Sequence, residues 1–336
     1  MHTYIVTLDI GGATLALLTS LLRTMTEVTY LLMSKPNIAV YAGNSLGGSG
    51  IVTNLPATTQ AGWTTIILGL FHIGYPPGQL EAEIFFNDVP VVADGKYLGD
   101  PSWPNNIAQL KQNSSITQIY ASFGGGSPVQ DFTTILKIYH GNNHRFDGTL
   151  LKKNLEVFRE TFSAIDGIDM DCEDYYDTAD SPNNSFAGFC AMLIDMGFDI
   201  TFCPYMRSNW WVDMLKRLSE HHSGHVKWWN LQCYAGGEYN MPEDWADEIT
   251  KAGFSADRFI LTGDWNRFWD PNYNVWSGRC PEEVKERISP YKQQSWFGGG
   301  FIWQMDAILN PGGNWSTSGC ASKEQPGMGD YIKAIQ

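Results

Sequence analysis

Short apolar runs alternate with longer amphipathic runs along the chain from Asn37 onward. We expect the short runs to form strands, because apolar runs of this length between polar segments are typical of buried strands. The eight candidate strands are 38–42, 65–71, 116–122, 165–173, 199–203, 226–234, 259–262 and 300–304. The runs between them predict helices; Leu151, Leu155 and Phe158, for example, recur at the spacing of one helix face.

Eight strands that alternate with helices predict parallel pairing with right-handed crossovers, and eight such units close a barrel. The expected fold class is therefore α/β, as a (β/α)8 TIM barrel. We expect one barrel domain over residues 33–336 and an N-terminal extension over residues 1–32. The extension contains an apolar run, but Asp9 interrupts it, and the preceding residues lack the positive charge with which a signal peptide begins.

Two connections are longer than the packing of a barrel requires. Residues 74–101 contain two apolar stretches on either side of Asn87 and Asp88, which predicts a β-hairpin whose second strand is confined to an edge by Pro90. Residues 263–279 hold five aromatic side chains: Trp265, Phe268, Trp269, Tyr273 and Trp276. Both segments follow strands, at the barrel end where loops usually carry binding residues.

The charge and the aromatic content restrict the class of ligand. The 336 residues carry a net charge of -14. Nucleic acids and anionic membranes would repel such a chain, so we expect neither as a partner and favour a neutral or basic ligand. Thirteen tryptophans and fifteen tyrosines offer flat apolar faces with polar edges, which suit sugar rings as well as protein cores.

The cysteines and histidines give no sign of a metal site. The six cysteines contain no C-x-x-C pair, and none of the seven histidines has ligand-like spacing, so we expect no cofactor. Cys172, Cys203 and Cys233 fall in predicted strands, where buried thiols behave as small apolar side chains. Cys280 and Cys320 lie in loop-like surroundings, the one place where we expect that a disulfide could form.

The run 165–173 puts four carboxylates into nine residues of an apolar, strand-like segment. Side chains alternate along a strand, so Asp169, Asp171 and Glu173 should share one face, at the carboxyl end where barrel enzymes place catalytic groups. Adjacent ionised carboxylates there would repel by roughly 2.5 kcal/mol, which allows one to hold a proton and act as a general acid. A solvated acidic loop or a calcium site is the alternative, but the run lacks the calcium-loop pattern.

The four acids have the spacing D-x-x-D-x-D-x-E, at Asp166, Asp169, Asp171 and Glu173. This spacing resembles the motif of family 18 glycoside hydrolases, the chitinases and their relatives. The resemblance implies that Glu173 is the general acid and base and that Asp171 holds the acetamido N–H of the substrate. It also implies that Asp169 supports Asp171.

Other strand ends resemble the same family. Ser122 begins an S-x-G-G segment, Gln232 and Tyr234 match two letters of Q-x-Y-N, and Trp303 lies on the last strand. The resemblance implies that Ser122 supports the acidic strand, that the Tyr234 hydroxyl bonds to the acetamido oxygen of the sugar, and that Trp303 forms the floor of the site. Ala235 departs from the Asn or Asp that follows the tyrosine in the family, which puts one polar contact in doubt.

We expect further substrate contacts from Gln232, from Tyr205 after the fifth strand, and from Trp265 and Trp269 in the aromatic loop. A second departure is Cys172, where many chitinases have tryptophan; it should face away from the barrel mouth and affect helix packing more than chemistry.

The resemblance implies a retaining hydrolase of β-1,4-linked N-acetylglucosamine polymers in which the sugar's own acetamido oxygen is the nucleophile. An endo-β-N-acetylglucosaminidase acting on N-glycans would use the same acids. A sugar-binding protein with little catalysis is a third hypothesis, which the presence of Glu173 disfavours. A two-carboxylate glycosidase would need another acid from a different strand. We expect an oligo- or polysaccharide containing N-acetylglucosamine as the partner, and a monomeric protein.

Overall fold

Eight parallel strands close into a barrel in the structure, a computed structural model that describes residues 35–74, 82–126, 130–174, 176 and 183–336. The described strands are β1 (Asn37–Ala42), β2 (Thr65–Ile73), β3 (Ile84–Phe86), β4 (Val89–Ala93), β5 (Lys96–Tyr97), β6 (Gln118–Gly124), β7 (Gly167–Asp171), β8 (Asp199–Phe202), β9 (Val226–Leu231), β10 (Ile260–Trp265), β11 (Phe268–Asp270), β12 (Val275–Ser277) and β13 (Phe297–Trp303). The predicted extension, residues 1–32, lies outside the described residues.

The barrel order is β1, β2, β6, β7, β8, β9, β10 and β13, and β1 pairs with both β13 and β2. All of these pairings are parallel, so the ring of strands is closed. The predicted (β/α)8 TIM barrel is therefore confirmed.

Helices follow the barrel strands and cover their outer face. The described α-helices are α1 (Gly50–Ala61), α2 (Trp103–Gln109), α3 (Asp131–Gly141), α4 (Leu150–Thr161), α5 (Ser185–Asp195), α6 (Ser208–His221), α7 (Pro242–Lys251), α8 (Pro281–Ile288), α9 (Met305–Leu309) and α10 (Met328–Ile335). Thr149 and Asn184 cap α4 and α5, because their side chains accept hydrogen bonds from backbone N–H groups of the first turn.

The barrel has an outer and an inner apolar cluster, since side chains alternate along every strand. Ile168, Met170 and Cys172 of the β7 segment belong to the large cluster between strands and helices. Inside the barrel, a smaller cluster contains Tyr41, Tyr234 and other aromatic side chains. The acids of β7 therefore share the inner face with aromatic rings, as the alternation predicts.

Both long connections form antiparallel pairs. β3 and β4 are joined at Asn87 and Asp88 as predicted, and β5 pairs only with Val92 and Ala93 of β4. Pro90 thus lies where one side of β4 is an edge. In the aromatic loop, β10 continues to Trp265, and β11 pairs with β12.

The last barrel strand begins three residues earlier than predicted, at Phe297. Glycine has low strand propensity, so the run 298–300 needs a separate reason to form a strand. Gly299 has φ +142°, and a Cβ there would lie 1.9 Å from the Asn37 carbonyl oxygen. The close approach of β13 to β1 therefore requires glycine in the strand.

The expected disulfide is present between Cys280 and Cys320. It joins the start of α8 to the segment that follows α9, and Trp276 and Trp315 pack against it. Cys172, Cys203 and Cys233 are buried and lie outside the disulfide, as the strand pattern predicts.

Candidate active site

Three carboxylates project from one face of β7 into the barrel. Asp169 is fully buried, Asp171 is 4% exposed, and Glu173, two residues beyond the strand, is half-buried. They form a column from the barrel centre toward the carboxyl ends of the strands, where barrel enzymes place their catalytic groups.

Asp169 accepts hydrogen bonds from four strands around the barrel. Tyr41 Oη and Ser122 Oγ lie 2.7 and 2.8 Å from Oδ2, while Thr201 Oγ1 and Asn230 Nδ2 lie 2.7 and 2.9 Å from Oδ1. Burial raises the pKa of Asp169, and these hydrogen bonds act against the rise. The surroundings suit an ionised carboxylate, which accepts at about four lone-pair sites and donates nothing.

Asp171 and Glu173 share a donor instead. Gln232 Nε2 lies 3.0 Å from Asp171 Oδ1 and 3.1 Å from Glu173 Oε1. Burial, followed by the negative charges of Glu173 and Asp169, raises the pKa of Asp171 well above its usual range. A proton is therefore retained more readily at Asp171 than at an exposed carboxylate, and general acid catalysis needs a retained proton.

The segment after β6 lies against the backbone of the acidic strand. Gly125 N–H donates to the Asp171 carbonyl oxygen at 2.8 Å. Gly124 has φ +113°, and a Cβ there would lie 2.1 Å from the same oxygen. The glycines of the S-x-G-G segment are thus required by close backbone approach, and Ser122 contacts Asp169 as predicted.

Aromatic side chains surround the acids at the barrel mouth. Tyr234 is buried, with its ring centroid 6.1 Å from that of Trp265, and Trp303 lies 5.3 Å from Tyr41. Trp265 and Trp303 are half-buried neighbours in the register of β10 and β13. Within the described residues, the Tyr234 hydroxyl has no hydrogen-bond partner, so it can accept or donate a bond to a ligand.

Burial raises the pKa of Tyr234, and the nearby Cys203 thiol and the carboxylates of Asp171 and Glu173 raise it further. Tyr205, half-buried after β8, also has its pKa raised, first by burial and then by the charge of Glu173. Both hydroxyls therefore stay protonated and available as donors beside the acids.

Trp269 is placed apart from the other predicted contacts. Its ring centroid is 5.7 Å from that of Trp276, its partner across the β11–β12 pair, and its backbone N–H donates to the Pro311 carbonyl oxygen. A Cβ added at Gly313 would lie 2.9 Å from its side chain. In the described part of the chain, Trp269 thus contacts Trp276, Pro311 and Gly313 rather than the acids.

Asp166, the first acid of the motif, lies before β7 at the amino end of the barrel. Lys111 Nζ is 2.6 Å from its Oδ1, and Ile119 N–H donates to its Oδ2. Asp166 is therefore a structural residue that ties two strands together, away from the column of Asp169, Asp171 and Glu173.

Four residues that surround the acids were not predicted as site residues: Tyr41, Thr201, Cys203 and Asn230. Asn230 was the most accessible to sequence reasoning, because it precedes Gln232 by two residues and must share its face. Tyr41 and Cys203 are also in contact, with Oη and Sγ 3.1 Å apart.

Ala235 follows Tyr234 in an exposed turn with φ +41°. This left-handed conformation is unfavourable for alanine and more tolerable for asparagine or aspartate. The departure from the family pattern therefore removes a polar side chain and places a strained residue in its position.

The described residues show neither a metal-binding cluster nor a membrane span. They contain no cluster of three or more His, Cys, Asp or Glu side chains able to hold a metal ion. Among the helices that the structure describes, none has the length and apolarity to span a membrane.

Solved structures of chitinases share this fold. Two structures of catalytic-site mutants of active domain 2 of the Pyrococcus furiosus chitinase, one complexed with chito-oligosaccharides, have TM-scores of 0.54 and 0.55 and identities of 11% and 12%. Each similarity covers 90% of this chain and 94% of the other. A tamarind chitinase-like lectin has a TM-score of 0.47 at 14% identity, over 90% of this chain and 100% of its own. No family model matches the sequence, and no curated protein matches it.

Proposed function

We propose that this chain is a family 18-type glycoside hydrolase that cleaves β-1,4-linked N-acetylglucosamine polymers with retention of configuration. The observation that carries the proposal is the inner column of β7, in which a fully bonded Asp169 lies below the close pair of Asp171 and Glu173. The chitinase-like fold and the aromatic mouth of the barrel support it.

The first step breaks the bond between the sugar's C1 and the leaving-group oxygen. Glu173 gives its proton to that oxygen, and the acetamido oxygen attacks C1 to close a five-membered ring. Asp171 accepts a hydrogen bond from the acetamido N–H, so it favours the positive charge that develops on the ring. The Tyr234 hydroxyl donates to the acetamido oxygen and orients it toward C1.

The second step opens the ring. Glu173, now ionised, removes a proton from a water molecule, and the resulting hydroxide attacks C1 from the face that the leaving group vacated. The acetamido group is restored, and two inversions give net retention. Asp169 stays ionised throughout, and its negative charge favours retention of one proton on the Asp171–Glu173 pair until Glu173 donates it, while Trp303 supplies an apolar floor for the sugar ring.

Product analysis with one preparation tests the proposal. We expect chitin oligomers to be cut to shorter oligomers whose new reducing ends are first released as the β-anomer. Release of glycans from a high-mannose glycoprotein without cleavage of chitin oligomers would support the endo-β-N-acetylglucosaminidase hypothesis instead. Binding of both substrates without cleavage of either would indicate a sugar-binding protein.

A further inference from the structure

The Gln232 side chain lies between the two acids of the proposed reaction. It is 6% exposed, and its Nε2 is 3.0 Å from Asp171, 3.1 Å from Glu173 and 3.3 Å from the Cys203 carbonyl oxygen. An amide nitrogen carries two N–H groups, so three acceptors share two protons. The shorter distances are those to the acids, so the amide joins the two carboxylates.

The lower acid cannot compete for Asp171. Each Asp169 oxygen already accepts two hydrogen bonds, from the four donors described above. Its lone-pair sites are therefore occupied, and a proton shared between Asp169 and Asp171 would displace one of these donors. The hydrogen-bond pattern directs Asp171 toward Glu173.

We propose that Gln232 is a positioning residue that holds Asp171 and Glu173 together before any substrate binds, so that the acid pair is already formed in the free protein. This inference rests on the proposed function and changes the role expected of Gln232 from the sequence, which was substrate binding. The amide is well placed for the task, because Gln232 directly follows β9 and its Nε2 also donates to the Cys203 carbonyl oxygen, which restricts its orientation.

Removal of the Gln232 amide should change the pH at which the pair of Asp171 and Glu173 loses its proton. Donation from an amide stabilises ionised carboxylates, so its loss favours protonation of the pair at higher pH. Among the described residues, the other titratable or charged groups around the pair are Asp169 on β7, Tyr41 on β1, Cys203 and Tyr205 after β8, Tyr234 after β9, and Tyr176, over whose ring the Arg207 guanidinium lies. A substitution at Gln232 leaves all of these groups in place.

The test compares Gln232→Met, which keeps length and removes both donors, with Gln232→Glu, which keeps shape and replaces donors by an acidic group. We expect kcat on chitin oligomers to fall by about 10–100-fold in Gln232→Met, the usual effect of a misplaced catalytic group, with little change in KM. The pH profiles of kcat and kcat/KM should share their pKa values in the parent, because the pair is preformed, and should shift to higher pH in both variants.

The matched control is Gln325→Met, because the Gln325 amide bonds the Ile308 carbonyl at 3.1 Å, outside the acid site. It should leave the pH profiles and kcat unchanged. Parent-like profiles in Gln232→Met would overturn the proposal.

A second readout does not need activity. Titration of the labelled side-chain carboxyl carbon of Asp171 by ¹³C NMR in the free protein should move to higher pH in Gln232→Met. Unchanged titration would refute the positioning role even if the protein hydrolysed chitin oligomers. A protein that hydrolysed none of them but showed the shift would contradict the proposed function and retain the inferred contact.

Discussion

Asp169 and Asp171 lie two residues apart on one face of one strand and are almost equally buried, yet their surroundings differ. Asp169 accepts hydrogen bonds from four side chains on β1, β6, β8 and β9. Asp171 shares the Gln232 amide with Glu173 and also has side-chain hydrogen bonds with Glu173 and with the Cys203 thiol. Burial alone therefore does not decide what a carboxylate does; the supply of donors from neighbouring strands separates a fixed support from an acid that can retain a proton.

Asp166 extends the comparison to the other end of the strand. It is 36% exposed and paired with Lys111, so solvent and an ion pair replace the network of the barrel interior. One motif thus places its acids in three environments, and each environment predicts a different response to substitution.

The largest effect is expected at Glu173. Glu173→Gln keeps shape and removes the transferable proton, so activity on chitin oligomers should fall by about 10²–10⁴-fold, the usual contribution of general acid catalysis. Chito-oligomer binding should persist, since the amide fits the same space. Glu156→Gln, on the exposed surface of α4, is the control and should retain parental kcat. Activity within about tenfold of the parent would exclude Glu173 from its role.

Loss of a hydrogen bond to Asp169 should lower the free energy of unfolding. Asn230→Leu removes a donor to Asp169 and also the acceptor of the Trp228 indole N–H, 2.9 Å away. A lost hydrogen bond to a charged group typically costs about 1.5–3 kcal/mol, so the free energy of unfolding should fall by that amount in urea titrations. Stability equal to that of the parent would mean that the four-donor network does not hold Asp169.

Asp171→Asn should stabilise the folded protein, whereas Asn230→Leu should destabilise it. Burial and negative neighbours raise the pKa of Asp171, so the folded protein binds this proton more tightly than the unfolded chain does. Stability from this group is therefore present at low pH and is lost as pH rises from the unfolded value toward the raised folded value. The variant should be more stable than the parent at pH 7, by about 0.5–2 kcal/mol, while losing activity.

Thermal unfolding of both proteins at pH 5 and pH 8 checks this prediction. The stability gain of the variant should be larger at the higher pH. A variant that is less stable at both values would show that the ionised Asp171 stabilises the fold.

The smallest effect is expected at the amino end of β7. Lys111→Met breaks a partly exposed ion pair, and such pairs contribute about 0–1 kcal/mol. Urea titration should show a loss within that range, and kcat should not change, because Asp166 is outside the column of Asp169, Asp171 and Glu173. A loss of activity without a loss of stability would connect this end of the strand to the site.

The sequence predicted the fold class and the orientation of the β7 acids because both depend on patterns within single segments. Alternation alone places Asp169, Asp171 and Glu173 on one face, and Gln232 with Tyr234 on another. Tyr41 and Thr201 could not be found in this way, since each is an isolated polar residue in an apolar strand. Their contacts with Asp169 depend on the register between strands, which no local pattern specifies.

The aromatic loop shows the same limit. The sequence pattern predicted a substrate contact for both Trp265 and Trp269. The strand β10 extends to Trp265 and places it at the barrel mouth. Trp269 falls on β11, where its cross-strand partner is Trp276. Hairpin register depends on turn geometry, so the separation of the two tryptophans required the structure.

Substrate assistance is the central claim of the proposed mechanism, and the acetamido group of the substrate tests it most directly. The parent should be assayed under the same conditions on chitin oligomers and on cellulose oligomers of equal length, which lack that group. We predict that the cellulose oligomers are cut roughly 10³-fold more slowly or not at all, because no nucleophile replaces the acetamido oxygen. Efficient cleavage of the cellulose oligomers would contradict the account and would require a nucleophile supplied by the protein.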